Sequence, residues 1–274
     1  MDIELIDNDI IVKNIKCFNL ALTVDCGQAF RWSQTTDGCF EGVAGGYYLK
    51  IKQKNNDLIF YNTTKDSFDN FWVNYFDLDK DYEKICEKLK QDDIIKSTVD
   101  EFYGIRIINQ EPWEALCSFV ISQQNNIKRI KLIIERLCSQ YGKDLGGNHY
   151  TFPTPNELAK LSVKDFQNLG TGYRAKYLKS LVESVLNGTI NLEKIKALPF
   201  KEAKAELLKI YGVGEKVASC ALLFGFGFYE SFPIDVWMKR VMAYYPSGLP
   251  ECFKGYEGIA QQYLFHWART NNIS

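Results

Sequence analysis

Along the first sixty residues the hydrophobic positions come in short runs separated by polar turn residues, the pattern of successive strands. The runs "DIIVKNI", "CFEGVAG", "GYYLKIKQ" and "DLIFYNT" are rich in β-branched and aromatic residues. Turn signals separate them at Asp37-Gly38, Gly45-Gly46 and Asn55-Asn56-Asp57. Short strands joined by tight turns predict an antiparallel sheet. After Tyr61 the period lengthens. In "DLDKDYEKICEKLKQDD" the apolar positions Leu78, Tyr82, Ile85 and Leu89 recur at spacings of four, three and four, which predicts one helical face.

From there the pattern stays helical. "PWEALCSFVISQ" and "IKRIKLIIERLCSQYG" flank a polar turn at 123–126. Thr154-Pro155 reads as an N-cap followed by proline at the first helical position, and Asn187-Gly188 as a C-terminal stop. "KEAKAELLKI" and "EKVASCALLFGF" lie on either side of a glycine turn, and "YEGIAQQYLFHWART" predicts a last helix. The expected architecture is α+β: an N-terminal antiparallel sheet domain with its following helix over 1–104, then a helical body over 105–274. Within the body a helix-hairpin-helix is expected near 203–224.

Composition narrows the class. The chain has 274 residues, 46% hydrophobic and 24% charged, as in ordinary globular proteins. No window is apolar enough for a membrane span, and the N-terminus lacks the apolar run of a secretory signal, so the cytoplasm is the expected compartment. The eight cysteines include no C-x-x-C pair, and there are two histidines, so no zinc or iron–sulfur site is expected. A net charge of −1 argues against a protein that coats nucleic acid by bulk electrostatics. A local basic face remains open, because "NNIKRIKLIIERL" and "TGYRAKYLKSL" are basic while 64–103 is acid-rich.

The candidate chemistry gathers in "YGVGEKVASCALLFGFGFYESFPIDVWMKRV". Gly212, Val213 and Gly214 form a tight turn ahead of a helix whose free N–H groups can hold a phosphate. A packed turn between two core helices would carry the same three residues. Lys216 falls in the first helical turn of an otherwise apolar segment. The positive helix end and partial burial disfavour its ammonium form, and a neutral amine is a nucleophile capable of a Schiff base. A lysine at the surface with a solvated head is the bland alternative. Asp235, after Pro233 and before "VWMKRVMAYY", reads as an N-cap, and the helix dipole keeps such a carboxylate ionised.

The hairpin, the lysine, the apolar run and "PIDV" together resemble the helix-hairpin-helix DNA glycosylases. The agreement extends in order through "CGQAFRW", "YFDLD", "GIRIINQEPWE", "ISQQNNIKRI", "LGTGYRAKYL" and "GVGEKVASC", and it is similar to the 8-oxoguanine DNA glycosylase/AP lyase branch. The resemblance implies an N-terminal sheet and helical lobes, base flipping from duplex DNA, and excision of 8-oxoguanine followed by strand cleavage. It gives Lys216 the attack on C1′ and Asp235 the assisting carboxylate. Gly27 would test the base with its carbonyl, accepting from the N7 hydrogen that oxidised guanine has and guanine lacks. Cys220 and Phe265 would pack on the two base faces, and Gln261 would read the Watson–Crick edge.

The same resemblance places Gln124 and Asn125 in the space the base vacates. Arg129 and Arg174 would hold the orphaned cytosine, and Tyr173 would wedge the duplex. It implies no cofactor, although the hairpin carbonyls could hold a monovalent or divalent ion. The partner implied is double-stranded DNA with 8-oxoguanine opposite cytosine, bound by a monomer in a prokaryotic cell, at the nucleoid when acting. Two departures stand out: Gln124 replaces the first of three asparagines, and Trp237 stands where a histidine near a phosphate is usual. Sister glycosylases with a four-cysteine cluster are disfavoured, since only Cys252 follows Asp235. Alkylated-base glycosylases lack the lysine, and a non-catalytic hairpin module leaves Lys216, Asp235 and "CGQAFRW" without a reason to co-occur.

Overall fold

The computed structural model describes residues 1–273. Six antiparallel strands form the N-terminal sheet: β1 (Asp2–Ile6), β2 (Asp9–Lys13), β3 (Trp32–Gln34), β4 (Phe40–Ala44), β5 (Tyr47–Lys54) and β6 (Asp57–Tyr61). Their order across the sheet is β1-β2-β6-β5-β4-β3. The turns sit where the sequence marks them: Gly38, Gly45, Gly46 and Asn55 all have positive φ.

Alternation drives one face of the sheet inward. Ile10 and Val12 on β2, Leu49 and Ile51 on β5, and Leu58 and Phe60 on β6 are each at most 1% exposed. Phe60 lies opposite Ile10 on one side and Ile51 on the other. Phe68, Trp72 and Phe76 come from the irregular helical stretch 65–76, whose middle, Phe68–Trp72, is a π turn. Phe68 meets Phe60 edge-on at 5.0 Å, and Trp32 packs on Trp72 at 6.2 Å. The Trp32 indole N–H is satisfied by the Tyr75 hydroxyl at 2.8 Å. Burial of each such ring stabilises the fold by roughly 1.5–3 kcal/mol.

The described residues cluster into two compact units. One holds 1–42, 49–109 and the chain from Phe228 on; the other holds 43–48 and 110–227. In the first unit the main helices, besides the stretch 65–76, are Leu20–Asp25, Tyr82–Leu89, Asp93–Glu101, Val236–Val241 and Glu257–Thr270. Leu78, expected on the first helical face, precedes that helix, because Asp81 caps it by accepting from the Lys84 amide at 3.2 Å.

In the second unit two helices, Pro112–Ser122 and Glu215–Phe226, pack against each other and are buried along most of their length. A helix that is apolar all round belongs in a core. Phe119 and Phe224 stack at 5.4 Å, and a Cβ on Gly225 would lie 2.7 Å from the Ala115 Cβ, so the two backbones meet where only glycine fits. Helices Ile127–Tyr141, Ala175–Leu186 and Phe200–Leu208 complete the main body. Thr154 caps Pro155–Leu158 with a reciprocal Glu157 bond, as its sequence signature predicts. The exposed two-strand ribbon at 144–150 carries no alternation that a sequence reading could use.

Candidate active site

The hairpin begins where helix Phe200–Leu208 ends. Gly212 has φ +85°, and a Cβ there would meet Tyr177 Cγ at 2.1 Å, so conformation and space both demand glycine. Val213 is buried and donates to the Ile210 carbonyl at 3.0 Å. Gly214 is the N-cap of Glu215–Phe226 and, having no side chain, leaves that helix end without a side-chain acceptor. Orphan N–H groups and the positive dipole end are what an anion needs. Glu215 is held by Lys204 at 2.6 Å, an exposed pair that joins the two hairpin helices.

Lys216 follows in the first turn and is half-buried. Its ammonium nitrogen lies 3.3 Å from Ser122 Oγ and 5.3 Å from the centre of the Phe119 ring. Ser122 and Phe119 were not singled out by sequence; the only signal is that helix Pro112–Ser122 ends beside the polar turn. Cys220 lies one turn after Lys216 on the same helical face and is 4% exposed.

The polar turn is built as a frame. Asn126 caps Ile127–Tyr141 by accepting from the Arg129 amide at 3.0 Å. Asn125 donates to the Ile121 carbonyl at 3.1 Å, and Gln124 has φ +45° and is exposed. Arg174 is 5% exposed, and its guanidinium is spent on carbonyls: Gln123 at 2.7 Å through Nε, Gln124 at 2.9 Å and Thr171 at 3.2 Å. It also stacks on Tyr173 at 4.5 Å, whose ring is half-exposed and whose hydroxyl reaches Gln123 O at 3.4 Å. Arg129 is exposed and donates to Gly170 O at 3.2 Å. Gln123, the first residue of the polar turn, donates to Gly212 O at 3.1 Å and so joins this turn to the hairpin. The second unit thus gathers Lys216, Cys220, Gly212, Val213, Gly214, Gln124, Asn125, Arg129, Tyr173 and Arg174.

The first unit holds the remaining candidates. Asp235 is the N-cap of Val236–Val241, half-buried, accepting from the Met238 amide at 2.9 Å. Trp237 is covered by Arg240, whose guanidinium carbon stands 4.8 Å from the indole. The segment leading to Asp235 is pinned by Tyr229. Its hydroxyl donates to Asp77 Oδ2 at 2.8 Å, and its carbonyl accepts from Gly258 at 2.7 Å. Burial and the Asp77 charge push the Tyr229 phenol upward, so it stays a donor.

Gly27 has φ +80° and lies between two buried anchors, Cys26 and Gln28. Gln28 donates to Thr23 O at 2.8 Å and Arg106 O at 2.7 Å, and accepts from the Ile108 amide at 2.8 Å. Gln261 and Gln262 are both buried on Glu257–Thr270, and Gln262 donates to Gln261 Oε1 at 2.9 Å. Cys26 reaches Gln262 Oε1 at 3.2 Å, so the turn at Gly27 and the Gln261 side chain share one network. Phe265 is half-buried with Arg269 at 5.8 Å from its ring, and Arg269 donates to Asp25 O at 3.4 Å. Next to it, His266 packs edge-on against Phe102 at 4.6 Å.

Among the described residues no group of three or more His, Cys, Asp or Glu could hold a metal ion. No helix of the described residues is long and apolar enough to cross a membrane.

A glycine turn between two helices, here leading into a half-buried amine, is the helix-hairpin-helix arrangement that names a class. The match to the helix-hairpin-helix superfamily of base excision DNA repair proteins covers residues 117–249. Residues 10–116 match the N-terminal domain of 8-oxoguanine DNA glycosylase. The chain is 39% identical to the 8-oxoguanine glycosylase/lyase of Clostridium acetobutylicum, solved with double-stranded DNA containing cytosine opposite 8-oxoguanine. That likeness covers 100% of this chain and 99% of the other, with a TM-score of 0.94. A probable N-glycosylase/DNA lyase of Methanothermobacter thermautotrophicus is 31% identical over 72% of this chain and 74% of its own. An N-glycosylase/DNA lyase of Arabidopsis thaliana is 28% identical over 82% of this chain, and the chain spans about two thirds of that relative's length, 66%. The chain therefore belongs to the 8-oxoguanine DNA glycosylase/lyase family.

Proposed function

We propose that this protein is a bifunctional repair enzyme that removes 8-oxoguanine from duplex DNA and then cuts the strand. The observation that carries the reading is the Lys216 amine, at the head of the hairpin helix and set between the Phe119 ring and the Ser122 hydroxyl. The amine lone pair forms a bond to C1′ as the C1′–N9 bond breaks, and the purine leaves with that electron pair. Opening of the sugar gives a Schiff base between Lys216 and C1′. Loss of a C2′ proton then expels the 3′ phosphate oxygen by β-elimination. Asp235, the N-cap of its helix, assists the amine and balances positive charge on the sugar.

In this reading the Gly27 carbonyl accepts from N7–H of the lesion and faces the lone pair of normal guanine, a bond that discriminates because its loss leaves a buried group unpaired. Cys220 and Phe265 sandwich the flipped base, and Gln261 meets its Watson–Crick edge. Gln124, Asn125 and Tyr173 occupy and wedge the duplex, and Arg129 holds the orphaned cytosine. Arg174, with its donors on Gln123 and Gln124, serves that turn as a brace as well as a candidate base contact. The hairpin grips a phosphate through Gly212, Val213 and Gly214, with or without an ion at its carbonyls. We take the enzyme to act as a monomer, at the nucleoid of a prokaryotic cytoplasm.

Borohydride trapping tests the reading. With duplex carrying 8-oxoguanine opposite cytosine, the native chain is expected to give a covalent adduct and Lys216→Gln none. An adduct that survives in Lys216→Gln moves the nucleophile elsewhere. A native chain that neither traps nor excises ends the proposal.

A further inference from the structure

Two adjacent glutamines buried in one helix call for an account, because a buried amide costs stability unless each half finds a partner. Gln261 is 4% exposed and Gln262 3%. The hydrogen bonds fix which way each amide faces. Thr23 O and Arg106 O can only accept, so the Gln28 amide nitrogen must face them, and its oxygen takes the Ile108 amide. Cys26 is fully buried, and desolvation holds its thiol up at about 12, so it keeps its proton; of the two acceptors in reach, Thr23 O at 3.4 Å already takes the Gln28 amide, and Gln262 Oε1 at 3.2 Å is the nearer. With its oxygen so engaged, Gln262 turns its nitrogen to Gln261 Oε1 at 2.9 Å. That leaves the Gln261 nitrogen as the donor still to be used.

We infer that Gln262 and Cys26 are positioning residues that set the orientation of the Gln261 amide, so that it presents N–H to a carbonyl oxygen on the edge of the flipped purine. The inference rests on the function proposed above and deepens it: recognition of the base runs one residue behind the glutamine that touches it. The relay begins at Cys26, next to the carbonyl of Gly27, so both base-testing groups hang from one buried network.

The test compares two reactions of the same protein under single turnover: excision of 8-oxoguanine opposite cytosine, and cleavage at a preformed abasic site, which has no base to read. Gln262→Ala and Cys26→Ala are expected to slow excision roughly tenfold, the effect of one buried hydrogen bond left unmade. Cleavage of the abasic duplex should stay near the native rate. Cys26→Ser keeps a donor and should restore most of the excision rate. On a Gln261→Ala background, Gln262→Ala should add little further loss. Equal losses in both reactions, undiminished excision in Gln262→Ala, or additive losses with Gln261→Ala each overturn the inference while leaving the function proposed above standing. A native chain without excision overturns the inference together with the reading it rests on.

Discussion

Tyr229 donates its hydroxyl to Asp77 Oδ2 across 2.8 Å, and Tyr82 donates to the same oxygen at 2.8 Å. A carboxylate at residue 77 therefore ties the segment that leads to Asp235 to a buried tyrosine near the sheet. Tyr229→Phe removes one of the two bonds and should cost about 1 kcal/mol. Asp77→Ala removes the acceptor of both hydroxyls, leaving Tyr229 only the long contact to Asn109 Oδ1 at 3.5 Å, and removes the partner of Lys80, so a loss of roughly 3 kcal/mol is expected. Urea unfolding of the two variants checks the ranking.

Gly212→Ala should harm the protein more than a positive φ alone explains. Gly38 has φ +74° with nothing within 4 Å of an added Cβ, so Gly38→Ala isolates the conformational cost, about 1 kcal/mol. At Gly212 the methyl also meets Tyr177, and overpacking adds roughly 1–3 kcal/mol. Thermal melts should show the difference, and DNA affinity should fall in Gly212→Ala alone, since the hairpin is the part displaced.

Asp235 can be split into cap and carboxylate. Asparagine caps a helix about as well as aspartate, so Asp235→Asn should melt within a few tenths of a kcal/mol of native, whereas Asp235→Ala loses about 1 kcal/mol. If the carboxylate serves the chemistry, Asp235→Asn should nevertheless slow excision by roughly a hundredfold or more while keeping DNA binding. Excision and binding that fall together would reduce the residue to its cap.

His266 makes the fold sensitive to mild acid. Burial lowers its pKa first and the nearby Arg269 charge lowers it further, while Asp25 opposes them. The folded state thus takes up a proton less readily than the unfolded chain. Its contribution is intact above the unfolded value of 6.5 and is lost as the pH falls from there toward the folded value. His266→Phe, which keeps a ring against Phe102, should flatten this part of the pH profile of Tm. An unchanged slope would place the acid sensitivity elsewhere.

The sequence was most readable where one physical rule acted alone. Strands β2, β5 and β6 announce themselves as short β-branched and aromatic runs bounded by turn residues, and in β5 Ile51 also stands between two lysines. β1 does not: Asp2-Ile3-Glu4-Leu5 alternates, but the stretch is short and all of its residues but Ile3 are exposed, so burial gives it little to signal. β3 is three residues long, too short for any period. The caps at Thr154 and Asp235 were legible because their bonds are local, within three residues. The partners of Ser122, Gln123 and Gln262 were not, since each of those contacts joins residues remote in sequence. Leu78 shows the opposite failure, an apolar spacing that fits a helix but is interrupted by the Asp81 cap.

Gly225 sits nine residues beyond Lys216, roughly 14 Å further along the helix axis at 1.5 Å per residue. Because Ala115 and Pro112 close on it from the neighbouring helix, any side chain there would act as a wedge and tilt the whole rod. The reactive nitrogen would swing in proportion, though nothing near it had been altered. Substitutions graded in size at this remote contact therefore offer a trimming adjustment for the enzyme, able to detune its attack without touching the DNA, the lesion or the amine.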